Sequence, residues 1–233
     1  MQKAFIYFLL SIILVSCNSQ SLDLSVIDFD KPSKSYPLQN LKTSRTEEQK
    51  GHFEVKHEKE GVSLELKDDG ERVTNYIFMD ESTTKQLNYS GLMVNPNIGV
   101  SLSVYDNKVV YIDLTVDFQS KFKLFDLLKS KLGKPAEIIN NEVNLADIDL
   151  PMQKLFLEKL PNETKVDKEN GYFSYPERLR WIKGDVFYKL ELNPSGNSIE
   201  SSLTIISKKA LKDKIIAGYQ HPENDLFLNK YLK

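Results

Sequence analysis

The sequence predicts an α+β fold: a mostly antiparallel sheet built from hairpins and a meander, with helices packed on one face. Three observations lead there. Apolar and polar residues alternate in short runs around turn residues, as in Val100–Val116 and Leu179–Leu192, which is the pattern of half-buried strands. Two other stretches, near 120–132 and 150–160, repeat apolar residues at helical spacing. Strands follow one another through short turns, without the regular strand–helix alternation of a parallel sheet. The composition, 40% hydrophobic and 27% charged over 233 residues, excludes a disordered or coiled-coil chain.

Taken in order, Leu22, Leu24 and Val26 alternate with polar residues and Ile27 and Phe29 follow, so 22–29 is a candidate edge strand. The surrounding stretch 17–50 lacks sustained periodicity and reads as a tether, with Pro32 and Pro37 excluding helix and central strand. If flexible throughout, it spans roughly 30 Å. The domain then covers 51–218. Val62–Leu66 is a short strand ended by an Asp68-Asp69-Gly70 turn, and Val73–Met79 is a second strand. Residues 80–97 are ambiguous. Val100, Leu102 and Val104 pair with Val110, Ile112 and Leu114. Both sets are even-numbered, so parity favours a three-residue loop that sets Leu102 opposite Ile112 and Val104 opposite Val110.

Ser120 is a candidate N-cap for a helix whose stripe is Phe122, Phe125, Leu128 and Leu132, stopped by Gly133 and Pro135. Residues 137–149 read as an acidic connector. Asp149 and Pro151 open a second helix that turns Met152, Phe156 and Leu160 inward and stops at Pro161. Around Gly184-Asp185 a two-residue loop sets Trp181 opposite Tyr188, Leu179 opposite Leu190 and Arg178 opposite Glu191. A loop at 193–197 leads to the strand Ile199–Ile206, with Leu203 and Ile205 inward, and a helix over 208–217 ends at Gly218. The remainder, 219–233, is a C-terminal tail.

The first residues have a different character. Lys3 precedes an apolar run from Ala4 to Val15, too short to span a bilayer, and Ser16 and Cys17 follow. This is a signal peptide over 1–16. Leu14-Val15-Ser16-Cys17 resembles the lipobox of bacterial lipoproteins. The resemblance implies cleavage before Cys17, acyl chains on its sulfur and new amine, and a membrane as the partner held through Cys17. One acyl chain holds reversibly and two or more hold durably. Removing Lys3 leaves 30 basic residues against 33 acidic, a formal charge of −3, so the acyl chains rather than anionic lipid do the anchoring. Asn18, where an Asp would direct inner-membrane retention in enteric bacteria, points to the outer membrane of the cell envelope.

Function is less legible. Lys and Arg number 31 and Asp and Glu 33, so there is no basic excess to bind nucleic acid. Cys17 is the one cysteine, which excludes an internal disulfide. The three histidines are His52, His57 and His221, and five positions separate the first two onto opposite faces of a strand, so no metal site or other cofactor is expected. Neither a Gly-x-Ser-x-Gly elbow nor a glycine-rich phosphate loop occurs, and no catalytic residue is assigned. Tyr172, Phe173 and Tyr175 form a candidate binding patch, because Tyr joins apolar area to a polar tip. The expected function is a non-catalytic lipoprotein module that binds an envelope protein or glycan. The alternative is an envelope hydrolase with an Asp/Glu acid–base pair, which leaves no local signature in sequence.

Overall fold

The computed structural model describes residues 21–58, 61–120, 122–195 and 198–233. Its centre is a nine-stranded antiparallel sheet. The strands are β2 (Arg45–Glu58), β3 (Gly61–Phe78), β6 (Val100–Tyr105), β7 (Lys108–Val116), β8 (Glu137–Asn144), β9 (Lys165–Asp167), β10 (Tyr172–Lys183), β11 (Val186–Ser195) and β12 (Ser198–Ser207). They run in the order β2-β3-β6-β7-β12-β11-β10-β8, with β9 against β10. A small second sheet joins β1 (Leu22–Asp23), β4 (Leu87–Tyr89) and β5 (Leu92–Met93).

The meander follows the expected register: Trp181 pairs with Tyr188, Leu179 with Leu190, Arg178 with Glu191 and Arg180 with Lys189. The first hairpin departs from expectation in an instructive way. Leu102 does pair with Ile112, but Val104 pairs with Val109 across a two-residue turn. Asp106 and Asn107 have φ of 50° and 58°, the left-handed pair that a tight hairpin turn needs. A bulge between Ser103 and Val104 absorbs the one-residue mismatch, so parity survives beyond the bulge without a longer loop.

Alternation along each strand sends side chains to two faces. On the first face Leu102, Ile112, Leu114, Leu179, Trp181, Leu190 and Leu203 share one core with Phe122, Phe125 and Leu128 and with Met152 and Phe156. The former three belong to α2 (Lys123–Leu132) and the residue before it, the latter two to α3 (Leu150–Lys159). Ser120 is not the cap of α2. It lies in a preceding 3-10 turn, and Phe122 takes the N-cap position without a side-chain bond. Asp149 takes the cap position of α3, also without a side-chain bond.

The second face is covered as well, which corrects the expectation that helices pack on one face only. Val73, Val110, Phe187 and Ile206 meet Ala210, Leu211, Ile215, Ile216 and Leu228 in a separate core. These last residues come from α4 (Lys208–Lys212), the loop after it, and α5 (Leu226–Leu232). Consecutive Ile205 and Ile206 point to opposite faces, and both are buried. The stretch 219–233 is therefore a lid on the second face rather than a tail. The helix expected over 208–217 stops at Lys212, where Lys214 turns left-handed with φ 53°.

The expected tether also folds. Leu22, Leu24, Phe29, Leu38 and Leu41 are buried in the first core, and Arg45–Lys50 belong to β2. Of the edge strand at 22–29, only Leu22–Asp23 is strand, followed by a 3-10 turn that Asp23 caps through Ser25 N. Within 80–97 lies α1 (Glu81–Thr84), capped by Asp80. Hydrogen bonds from Ser82 and Ser44 hold the Asp80 carboxyl down at about 2. The connector 137–149 contributes β8, an edge strand whose outward Asn and Glu suit a solvent-facing border.

Asp68-Asp69-Gly70 does not reverse the chain. β3 runs through it, and Gly70 (φ 84°) lies at a bend opposite Gly51 (φ 92°). A Cβ on Gly51 would fall 1.5 Å from the Lys67 carbonyl oxygen, so that close approach admits only glycine. Beyond the bend the β2–β3 hairpin continues as a two-stranded arm from His52 to Lys67, since β3 meets β6 only over Val73–Phe78.

Candidate functional site

A polar cluster lies on the second face, where the segment 218–228 crosses β10 and β11 over a cavity of about 460 Å³. Odd positions of β11 and even positions of β10 project into it, which brings Lys189 and Glu191 together with Arg178 and Arg180. Arg180 bonds Glu137 at 2.9 Å and Asp225 at 2.8 Å. Arg178 meets Glu177 at 3.0 Å and Glu191 at 3.2 Å, and Lys189 meets Glu191 at 3.0 Å. Phe227 packs on Phe187 with ring centres 6.3 Å apart, and the Arg180 guanidinium lies over the Phe227 ring. This network clamps the lid to the sheet. The carboxylates lining the cavity, Glu191 and Asp225, both bond cations, so the cavity does not present the free facing pair that acid–base hydrolysis uses.

Beneath the lid Asp113 accepts a hydrogen bond from Thr204 Oγ1 at 2.7 Å. Burial pushes its carboxyl above the ordinary range, more than Thr204 and Lys189 pull it down. Lys189 is lowered by burial, but Tyr219 and Glu191 outweigh this and raise it. Burial likewise raises Tyr219. With Asp113 raised in the folded state, the native protein binds the extra proton, and stability declines as pH rises from the ordinary carboxylate range through the native value. Asp113→Asn keeps an acceptor for Thr204 and removes the charge. It should raise stability at pH 7 on the order of 1 kcal/mol, with the gain vanishing at about pH 3, in urea titrations at both pH values. A variant less stable than wild type at pH 7 would mean that the attraction to Lys189 dominates.

A second cavity of about 340 Å³ lies between the Asp106-Asn107 turn and α4, lined by Tyr105, Val110, Ser207 and Lys209 among others. Lys209 bonds Asp213 at 3.1 Å and sits 4.7 Å from the centre of the Tyr105 ring, a self-satisfied lysine rather than an open site.

The candidate aromatic patch separates. Phe173 and Tyr175 are buried, their rings 6.0 Å and 5.1 Å from that of Phe156. Both project to the first face, which α3 covers. Tyr172, 51% exposed, alone reaches solvent. Cys17 lies outside the described residues. His52 sits between Glu54 (3.1 Å) and Asp69 (2.9 Å): the hydrogen bond to Glu54 raises it most, burial works against this, and Asp69 raises it further. The side chain of His57 falls outside the description, and His221 bonds Glu223 at 2.9 Å. Among the described residues no group of three or more His, Cys, Asp or Glu is arranged to hold a metal ion.

The arm is the surface that sequence reasoning missed. Pairing of Phe53 with Leu66 and Val55 with Leu64 puts an apolar stripe on one side. His52, Glu54, Lys56, Glu65 and Lys67 share the other, where Lys67 bonds Glu65 at 2.9 Å. Leu64 is 51% exposed and Leu66 39%. The signal was present in the alternation of 53–55 and 62–66, which pair with each other, while the Phe53 amide donates to the Lys214 carbonyl at 3.0 Å.

Comparison with known proteins returns no match to a family model, a curated protein or a solved structure.

Proposed function

We propose that the protein is a lipoprotein of the bacterial outer membrane, anchored through acylated Cys17, that binds an envelope protein through its arm and performs no catalysis. The observation that carries this reading is the apolar stripe of the arm, exposed at Leu64 and Leu66 on a two-stranded ribbon. Such a ribbon is marginal alone in water, and exposed contiguous apolar surface marks association. An added strand or an apolar face from a partner protein satisfies it. A glycan is the poorer match, because sugars stack on exposed aromatic rings, whereas the exposed side chains of the stripe are leucines, Phe53 is half-buried, and Phe173 and Tyr175 are buried. Fixed attachment at a membrane raises the local concentration of partners there.

The test uses living cells carrying the full chain. Metabolic labelling with an acyl analogue should mark Cys17, and Cys17→Ser should abolish the mark and release the protein from the membrane fraction. A photo-crosslinker at position 64 should give one discrete adduct with another protein, lost in Leu66→Asp at an unchanged unfolding midpoint. A free thiol at Cys17 or absence of any adduct overturns the reading. So does turnover of peptidoglycan fragments that a single Asp or Glu substitution abolishes.

A further inference from the structure

The folded body begins much closer to Cys17 than the sequence suggested. Five peptide units separate Cys17 from buried Leu22, a reach of no more than about 17 Å. A body leashed this closely to lipid rests against the bilayer with whatever surrounds Leu22. That surroundings is the small β1-β4-β5 sheet. Its register sets Asp23 beside Asn88 and Asn88 beside Met93, and alternation puts these three on the face away from buried Leu22, Leu87 and Tyr89.

The apolar side chains at this corner are uncovered. Val26 is 61% exposed and Met93 56%. Phe118, also exposed, follows Asp117, whose amide donates to the Met93 carbonyl at 2.9 Å. The carboxylates here turn back onto the backbone. Asp23 accepts from Ser25 N at 2.9 Å and Ser90 N at 2.8 Å, and Asp117 accepts from Gln119 N at 2.8 Å. The lysines do not. Exposed Lys85 precedes Gln86, whose carbonyl accepts from Leu22 N. Exposed Lys42 bonds Gln86 Oε1 through its amide, and exposed Lys131 reaches the Ser25 carbonyl at 2.7 Å.

Resting on the acylation of Cys17 proposed above, we infer that this corner is a lipid-contact surface: Val26, Met93 and Phe118 enter the interfacial layer while Lys42, Lys85 and Lys131 lie at the phosphate headgroups. Apolar side chains flanked by lysines are the composition of segments that lie in a membrane interface. The orientation gives the arm its place. β2 starts at Arg45, three residues after Lys42, and reaches its far end at Glu58. Thirteen steps of strand cover up to roughly 40 Å, so a body seated on this corner carries the arm tip at a distance from the anchor.

The test takes the full chain, acylated in cells and reconstituted in phosphatidylethanolamine–phosphatidylglycerol vesicles whose acyl chains carry bromine. Wild type reports only buried Trp181 and serves as the unquenched reference. Met93→Trp and Phe118→Trp should be quenched several-fold more than Leu64→Trp, which should match wild type. All three positions are exposed, and an unchanged far-ultraviolet circular dichroism spectrum verifies the fold. A chain that carries acyl groups and sediments with vesicles, yet quenches no more at 93 and 118 than at 64, overturns the seating alone. A chain that carries no acyl group and does not sediment overturns both the seating and the anchor.

Discussion

Trp181→Ala should lower the free energy of unfolding by about 3–5 kcal/mol, the cost of deleting a large buried aromatic and leaving its cavity. Trp181 is 2% exposed and lies in the first core with Leu179, Phe125 and Leu128. Its neighbour across the hairpin is Tyr188. A second role adds to packing. The indole Nε1 donates to the Gly133 carbonyl at 3.0 Å, and Gly133, with φ 83°, is the residue that ends α2. The bond ties the end of the helix to the sheet. Urea unfolding followed by far-ultraviolet circular dichroism measures the loss. Trp181→Phe retains most of the volume and loses the hydrogen bond, so its cost should be smaller, about 1–2 kcal/mol. A change below about 1 kcal/mol for the alanine variant would remove Trp181 from the core.

That residue was legible from sequence because its strand pairs locally. Trp181 and Tyr188 are joined by a two-residue turn at Gly184-Asp185, so alternation on each side and the turn chemistry agree on one register. The same holds for Leu102 and Ile112, where parity identified the pairing although the bulge at Ser103 shortened the loop. Elements whose partners are distant in sequence were not legible. β8 reads Glu-Ile-Ile-Asn-Asn-Glu-Val-Asn, a polar stretch that becomes a strand because β10 offers an edge some 35 residues later. The alternation of Leu22 and Leu24 suggested a longer strand than forms, because these residues and Phe29 fill gaps in a core built by later residues, rather than a face of an element of their own. Phe227 and Leu228 close over Phe187 for the same reason.

The candidate site shows the same division. The spacing Tyr172, Phe173, Tyr175 displays aromatic residues, but which of them faces solvent depends on the placement of α3, which no local pattern specifies. The apolar pairs of the arm are local and visible, whereas their exposure follows from the pairing of β3 with β6, which among the described residues covers only Val73–Phe78. Leu64 and Leu66 look like core in sequence and become surface only once the topology is known. The Arg180 clamp needs Glu137 and Asp225, residues 43 positions before it and 45 after it.

Phe156→Ala should be as costly as the tryptophan change, about 3–5 kcal/mol, and should add a surface. Phe156 is fully buried and sits at the centre of an aromatic group, its ring 5.0 Å from Phe122, 5.1 Å from Tyr175 and 6.0 Å from Phe173. Edge-to-face pairs of this kind add about 0.5–1.5 kcal/mol each beyond burial. Phe156 is the largest of the few side chains that seat α3. The helix has ten residues, its cap residue Asp149 makes no side-chain bond, and its buried apolar positions besides Phe156 reduce to Met152. A helix so short is marginal without tertiary packing. Loss of the ring should therefore loosen α3 before the sheet, leaving Phe173 and Tyr175 uncovered on β10. Hydrogen exchange should show amides of 150–159 losing protection while those of β7 and β12 keep it, and the variant should bind a hydrophobic dye that wild type does not. If protection falls equally in α3 and in the sheet, the helix and sheet unfold as one unit. In that case α3 is integral to the sheet's own stability, and the aromatic group is a central core element rather than a removable cover.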